Sequence, residues 1–342
     1  MNFEVLSKHR EKIMGLAIIS IIIFHYFEDV RIFMNVSPII IKISKIYNVI
    51  IGSIGVDIFL IVSAIGLYYS YSKNNNLVEF YKKRIKRVLI PYIIICGIYW
   101  IVLDIFIKKL SIIYFFKDFL WISFFTEHVT TFWYILAIVI LYFLFPIIYR
   151  FINNGGNKKY KLLILTMLDI LLNIFIFIFN RNLYNNIEIF LIRVLDFIIG
   201  MFLAQKVYNK DKISKKYIIK CGILLLVTFS FKLLLFKFMA SIYYLINRYL
   251  TAIIAITGTI LLAIALENIN FRRINEILKS VGQYTLELYI FHVAYRELFN
   301  YFNHYTSILK FEILMLVLSI ISSIAFNKTY KYLSTKRIKE VQ

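Results

Sequence analysis

A histidine and two carboxylates lie close together near the N-terminus, with the spacing of an acid–base site. His25 ends an apolar segment, and Glu28 and Asp29 follow it at positions i+3 and i+4. On a helix these three side chains share one face. A carboxylate in this position can orient the imidazole and raise its basicity, as a general base requires. The alternative is a histidine at a membrane interface that makes ordinary hydrogen bonds.

A second histidine, His292, lies in another apolar segment, and Arg296 follows it by four residues. These two side chains share a helical face, whereas Glu287 is rotated away from it. Ionisable groups inside an apolar segment are functional candidates, and packing around an internal ion pair is the alternative. Arg193 and Asp196, three residues apart, are expected to neutralise each other.

A third chemical feature is the basic run EFYKKRIKR at 79–87, which precedes Pro91. Two interpretations fit this run. Lysine and arginine near a membrane surface bind anionic lipid or cap a span. Forked guanidinium groups also match the phosphates of a cytoplasmic ligand.

The composition indicates that helices in a lipid bilayer position these residues. Of the 342 residues, 61% are hydrophobic and 17% are charged, and the mean hydropathy is +0.77. A soluble domain carries about 25% charged residues, so this chain has too little polar surface for water to cover it. We therefore predict an all-α, polytopic integral membrane protein with a single transmembrane domain over residues 1–342.

Lipid requires each spanning segment to satisfy its own backbone hydrogen bonds, so helices are the expected form. Apolar segments bounded by charge or by Asn and Gly predict about ten spans. They are 13–27, 49–70, 88–107, 132–149, 162–179, 187–205, 217–236, 248–266, 282–301 and 309–326. The segment 110–125 contains Lys117 and Asp118, and we expect an interfacial or re-entrant helix there.

Topology, rather than nucleic-acid binding, explains the formal charge of +21. Connections on one side of the predicted spans carry 27 Lys and Arg residues, against ten on the other side. The positive-inside rule makes the first set cytoplasmic, so both termini are predicted to lie inside. This orientation places the 79–87 run at the cytoplasmic face and His25 toward the opposite face.

Six segments of the chain, some of which contain the residues described above, together form a recognisable pattern. They are MGLAIISIIIFH (14–25), GSIGVDIFLIVSAIGL (52–67), FYKKRIKRVLIPY (80–92), FWYILAIVILYFLFP (132–146), RVLDFIIG (193–200) and VGQYTLELYIFH (281–292). Each is a weak signal alone, but together and in this order the chain resembles the acyltransferase 3 family of membrane-bound acyltransferases. The resemblance covers most of the chain from residue 14 to residue 292.

The resemblance implies transfer of an acyl group, usually acetyl from cytoplasmic acetyl-CoA, to a glycan outside the cytoplasm. His25 matches the essential histidine of the family, and Glu28 and Asp29 are the carboxylates expected to assist it. The residues expected to bind the phosphates of the acyl-CoA donor are Arg84, Arg87 and Lys83. The residues expected to line or support the substrate pocket are Asp57, Ser63, Tyr92, Trp133, Tyr134 and His292.

One position departs from the family pattern. The family usually has an arginine eleven residues before the histidine, and Met14 stands there. Arg10 and Lys12 lie on neighbouring turns, and we expect neither of them to occupy the same helical face. The departure leaves rearranged donor binding, a different donor and impaired activity as open alternatives.

We therefore expect a multi-pass enzyme of the bacterial plasma membrane that O-acetylates a surface polysaccharide or its lipid-linked precursor. Acetyl-CoA is the expected co-substrate, membrane lipid and the glycan are the expected partners, and neither a metal nor nucleic acid is expected. His25 would act as a general base or carry the acyl group transiently. The alternative is a transporter or flippase for a lipid-linked sugar, although no internal repeat supports it.

Overall fold

The predicted spans are helices, as the hydrogen-bonding demands of a lipid interior require. The computed structural model describes residues 1–29, 37–50, 52, 54–238, 240–268, 271–302 and 308–339. Within these ranges the chain forms helices and no β-strand, apart from an isolated antiparallel bridge between Asn2 and Lys212. The predicted all-α class is therefore confirmed.

After a short turn at Val5–Lys8, the helices are labelled in chain order. The N-terminal half contains α1 Arg10–Asp29, α2 Pro38–Ile50, α3 Ile54–Lys73, α4 Leu77–Ile107, α5 Ile112–Phe119, α6 Ile122–Thr126, α7 Trp133–Asn153 and α8 Lys158–Phe179. The C-terminal half contains α9 Arg181–Leu191, α10 Val194–Tyr208, α11 Lys215–Phe238, α12 Ala240–Asn268, α13 Arg272–Gln283, α14 Thr285–Phe302 and α15 Ile308–Lys339.

Length and composition divide the predicted spans into two groups. In the described part of the chain, seven helices are long and apolar enough to cross a membrane, namely α3, α4, α7, α8, α11, α12 and α15. The other three predicted spans fall on α1, on the end of α9 together with α10, and on α14, and these helices are shorter or more charged. The prediction of one continuous helix over 187–205 is wrong, because the chain leaves helical structure at Ile192 and Arg193. α10 has only 15 residues, and α1 and α14 carry several ionisable side chains. The polytopic membrane fold is confirmed, and the orientation stays a prediction.

Burial separates central helices from peripheral ones. Two-thirds of the most apolar window of α3 is buried, whereas the corresponding fractions are 11% for α8 and 22% for α11 and α15. The peripheral helices therefore present apolar side chains to lipid, and α3 packs in the centre against α1 and α10. The segment 110–125 forms the short helices α5 and α6, of eight and five residues, which are too short to be an additional span.

Two glycines fix α1, which carries His25, against α13. A Cβ atom at Gly15 would overlap the carbonyl of Leu278, and one at Gly282 would overlap the carbonyl of Glu11. The two backbones approach so closely that only glycine fits at either position. This packing sets the N-terminal turns of α1 beside the junction of α13 and α14.

A π-helical turn that starts at Ile85 interrupts α4 beside the predicted donor arginines. The N–H of Ile90 bonds to the carbonyl of Ile85, five residues back. In this register the carbonyl of Lys86 faces Pro91, which has no N–H. The hydroxyl of Tyr330 in α15 donates to the Lys86 carbonyl instead, at 2.9 Å. The C-terminal helix therefore holds the basic run in place.

Candidate active site

Five helices surround a cavity of about 220 Å³ at the end of the bundle predicted to be cytoplasmic. A wider space of about 710 Å³ adjoins it, and the two share Arg10, Met14 and Arg87. Together they are called the basic cavity. Of the predicted site residues, Ser63, Arg84, Arg87 and Tyr134 line the narrow part, and Lys83 and Arg87 line the wide part.

The basic cavity holds arginine atoms that the protein itself does not satisfy. The Nε atoms of Arg10 and Arg84 are buried and have no hydrogen-bond partner among the described residues. The Arg84 guanidinium lies over the rings of Phe80 and Tyr142, at 5.4 and 5.9 Å from their centres. Buried donors without partners are unfavourable, so an anionic ligand that accepts from them would be bound favourably.

The position of Arg10 corrects one prediction from the sequence. Arg10 was expected not to share a helical face with Met14, yet both residues line both parts of the basic cavity. The reason is their spacing, because residues four apart on a helix are neighbours on one face. A Cβ atom at Gly66 of α3 would lie 3.2 Å from the guanidinium carbon of Arg10. The missing side chain at Gly66 thus makes room for the Arg10 head group.

A separate cavity of about 180 Å³ lies toward the opposite end of α1 and is called the histidine cavity. His25 and Glu28 of α1 line it, as does Trp133 at the start of α7. Arg193 and Arg296 also line it, from the start of α10 and from α14. The structure therefore brings His25, Glu28 and Trp133 together, and it separates them from the predicted donor residues.

His25 is paired with the second histidine. Its Nδ1 atom lies 3.1 Å from Nε2 of His292, and the two rings stack with their planes 11° apart. His292 is almost fully buried, with 1% of its surface exposed. Nδ1 of His25 is therefore engaged by an imidazole, whereas orientation of His25 by a neighbouring carboxylate stays a prediction.

The two carboxylates after His25 bind Arg296 instead. The Arg296 guanidinium donates to both oxygens of Asp29, with shortest distances of 2.7 and 2.8 Å, and to Glu28 at 3.2 Å. This bidentate geometry is typical of a strong arginine–carboxylate pair. Glu28 and Asp29 do share one helical face, and an arginine of α14 neutralises that face.

Arg193 also has a different partner from the one predicted. Its Nε atom donates to Asp57 of α3 at 2.8 Å, and both residues are buried. Arg193 is the N-cap residue of α10, and Asp196 lies close enough to interact electrostatically with Arg193 and to share a hydrogen bond with Asp57. Its guanidinium also lies 4.9 Å from the ring centre of Trp133. Asp57 therefore supports the wall of the histidine cavity by holding Arg193.

Tyr92 lies apart from these cavities. Its hydroxyl donates to the carbonyl of Phe119 at 2.6 Å, and its ring stacks on Trp121 at 4.2 Å. It also contacts the ring of Phe132, which directly precedes α7. The structure thus assigns Tyr92 to the support of the segment that leads into α7, rather than to the pocket lining that the sequence suggested.

Several lining residues were not predicted. Tyr289 of the histidine cavity lies three residues before His292 in a segment that was recognised, so its helical spacing was an available signal. Tyr142 and Tyr330 line the basic cavity, but nothing in their local sequence distinguishes them from other tyrosines. Within the described ranges, no group of three or more His, Cys, Asp or Glu residues has an arrangement that would hold a metal ion.

The fold and these sites define a class: a polytopic helical membrane protein with a histidine pair beside one cavity and arginines around another. A family model described as an acyltransferase domain matches residues 14–328. The chain therefore belongs to the acyltransferase 3 family and is a membrane-bound acyltransferase, which confirms the predicted family. Searches of curated proteins and of solved structures found no match.

Proposed function

We propose that the protein transfers an acyl group, most simply acetyl, from cytoplasmic acyl-CoA to a hydroxyl of a surface polysaccharide or lipid-linked glycan. The membrane is taken to be the bacterial plasma membrane. The observation that carries the proposal is that a basic cavity and a histidine cavity lie on the two sides of one layer of side chains within the same group of helices. Family membership supports the transfer, and the two cavities support a charged donor and a separate acceptor.

The basic cavity suits the donor. Coenzyme A carries its phosphates on the nucleotide portion and its thioester at the end of a thin pantetheine arm. Arg87 lines both parts of the cavity, and Lys83 and Lys86 line the wide part, where forked and ammonium donors would meet phosphate oxygens. The narrow part, lined by Arg10 and Arg84, would take the phosphate group from which the arm begins.

The histidine pair suits the acid–base step. In the tautomer in which Nδ1–H of His25 donates to Nε2 of His292, the lone pair on Nε2 of His25 is available for a proton. The acceptor hydroxyl attacks the thioester carbonyl carbon while its proton moves to that Nε2 atom. The C–O bond forms, the C–S bond breaks, and the CoA thiolate then takes the proton from His25. The products are an ester and free CoA thiol.

A transient acyl-histidine uses the same nitrogen. In that route Nε2 of His25 attacks the thioester, CoA thiolate leaves, and the acceptor hydroxyl takes the acyl group in a second step. Rapid mixing of the protein with labelled acetyl-CoA in the absence of acceptor distinguishes the routes. Label on the protein with release of one CoA supports the carrier route, and the absence of both supports direct transfer.

The proposal is tested with purified protein in sealed vesicles. Labelled acetyl-CoA is supplied on the side of the basic cavity, and envelope glycan from a strain that lacks the protein is supplied on the other side. We expect label to appear in the glycan only when donor, acceptor and protein are all present. Movement of the glycan across the bilayer without label and without donor would contradict the proposal and favour the flippase.

A further inference from the structure

A single layer of aromatic rings separates the basic cavity from the histidine cavity. Phe59 of α3 and Tyr134 of α7 line the narrow part of the basic cavity, and Tyr289 of α14 lines the histidine cavity. The ring centres of Phe59 and Tyr134 are 5.8 Å apart, and those of Tyr134 and Tyr289 are 5.3 Å apart with the rings edge to face. These three residues are called the ring layer.

The layer is thin, because on three helices the residues that line one cavity lie within one turn of the residues that line the other. On α3, Val56 lines the histidine cavity and Phe59 lines the basic cavity. On α7 the change occurs between the consecutive residues Trp133 and Tyr134. A helix rises about 1.5 Å per residue, so a separation of three residues corresponds to about 4.5 Å.

The layer is also closed. The exposed fractions of the three side chains are 2% for Phe59, 7% for Tyr134 and 4% for Tyr289. Buried side chains are close-packed, with few voids larger than a water molecule. A thioester that starts in the basic cavity must therefore displace at least one of these rings to reach His25.

We propose that the ring layer is the gate through which the acyl-pantetheine arm passes, and that its side chains select short acyl groups such as acetyl. The inference rests on the proposed function, since it assumes a CoA donor on one side and His25 on the other. Beyond the layer, the histidine cavity has a volume of about 180 Å³, which a small acyl group and the acceptor hydroxyl must share.

The test measures acyl-chain selectivity. Acetyl-CoA, butyryl-CoA and octanoyl-CoA are compared as donors for the native protein and for Tyr289→Ala and Phe59→Ala. We expect both substitutions to raise the ratio of butyryl to acetyl transfer, measured as kcat/KM, by about tenfold or more, as a methylene in a tight apolar site is worth that much. An unchanged ratio in a folded variant would overturn the gate.

Two further variants keep this result interpretable. Tyr289→Leu removes less side-chain volume than Tyr289→Ala, and it replaces the alanine variant if that variant does not fold. We expect its ratio of butyryl to acetyl transfer to rise by a smaller factor. Phe145→Ala removes a ring of similar size that is fully buried against Tyr71 and Phe80, and its ratio should not change. Native protein that transfers no acyl group from any CoA donor would contradict the proposed function itself, whereas normal acetyl transfer with unchanged ratios contradicts only the gate.

Discussion

The basic cavity and the histidine cavity both contain arginines, but the protein neutralises them differently. In the histidine cavity, Arg296 is bound by Asp29 and Glu28, and Arg193 is bound by Asp57. In the basic cavity, the Nε atoms of Arg10 and Arg84 are buried without a hydrogen-bond partner in the described part of the chain, although Tyr142 is hydrogen-bonded to the Arg84 guanidinium. Arg193 and Arg296 are thus compensated by carboxylates, whereas the basic cavity keeps buried donors that an external anion would complete.

This difference separates binding from chemistry. An incomplete cationic site gains most from a ligand that carries phosphate, so substitutions there should act on donor binding. A compensated site holds its side chains in position before any ligand arrives, so substitutions there should act on the reaction step. The comparison therefore predicts that the two cavities affect different kinetic constants, KM in the basic cavity and kcat in the histidine cavity.

The largest expected effect is at His25. We expect His25→Ala to lower kcat by about 10²–10⁴-fold, the usual contribution of general acid–base catalysis. Binding of acetyl-CoA, measured by calorimetry on the same variant, should not change. His128→Ala, at an exposed histidine in the connection before α7, is the control and should retain full activity. A weaker affinity for acetyl-CoA in His25→Ala would remove the distinction between the two cavities.

The next effect is at Arg87, which lines both parts of the basic cavity. Loss of a charge-assisted hydrogen bond costs about 1.5–3 kcal/mol, so Arg87→Ala should raise KM for acetyl-CoA by about 10- to 100-fold and leave kcat nearly unchanged. With acetyl-pantetheine, which lacks the nucleotide phosphates, native protein and variant should have equal KM values. Lys82→Ala, in the same basic run, is the matched control. Equal losses with both donors would show that Arg87 does not bind phosphate.

A smaller effect is expected when the arginine of α1 is removed from position 10 or moved to position 14. Arg10→Met should raise KM for acetyl-CoA by about tenfold, the equivalent of one charge-assisted hydrogen bond. Because positions 10 and 14 share a helical face, Arg10→Met combined with Met14→Arg should restore most of the affinity. Lys12→Met should have little effect. Failure of the combined variant to recover any affinity would argue that the two positions are not equivalent.

The smallest effect is expected at Tyr330, which caps the Lys86 carbonyl next to Pro91. Tyr330→Phe removes one hydrogen bond near the surface and should lower the free energy of unfolding by no more than about 1 kcal/mol. KM for acetyl-CoA should rise about twofold, since the basic run is held less firmly and not removed. Thermal unfolding in detergent and donor titration measure the two quantities, with Tyr160→Phe as the control. A rise in KM as large as that of Arg87→Ala would show that the Tyr330 hydroxyl contacts the donor itself.

Much of the fold was accessible from the sequence because it depends on local chemistry. Hydropathy located the helices, since lipid requires every backbone hydrogen bond to be made within a segment. Among the predicted spans, α1, α10 and α14 fall short of membrane-spanning length or composition, and they carry His25, Asp196 and His292. Polar side chains placed where lipid disfavours them are a local signal of function. That Arg10 and Met14 share a helical face also depends only on the local sequence, and their spacing of four residues was sufficient to predict it.

The partners of these side chains were decided by the tertiary structure. His25 is paired with His292, which lies 267 residues away, and the donor to the Lys86 carbonyl lies 244 residues away. Arg193 is paired with Asp57, 136 residues away, rather than with Asp196 in its own helix. By itself the sequence determined a helical membrane protein with a histidine and a basic run at opposite ends. Only the packing decided which groups meet, because hydropathy specifies that a helix is buried or faces lipid but not which helix lies beside it.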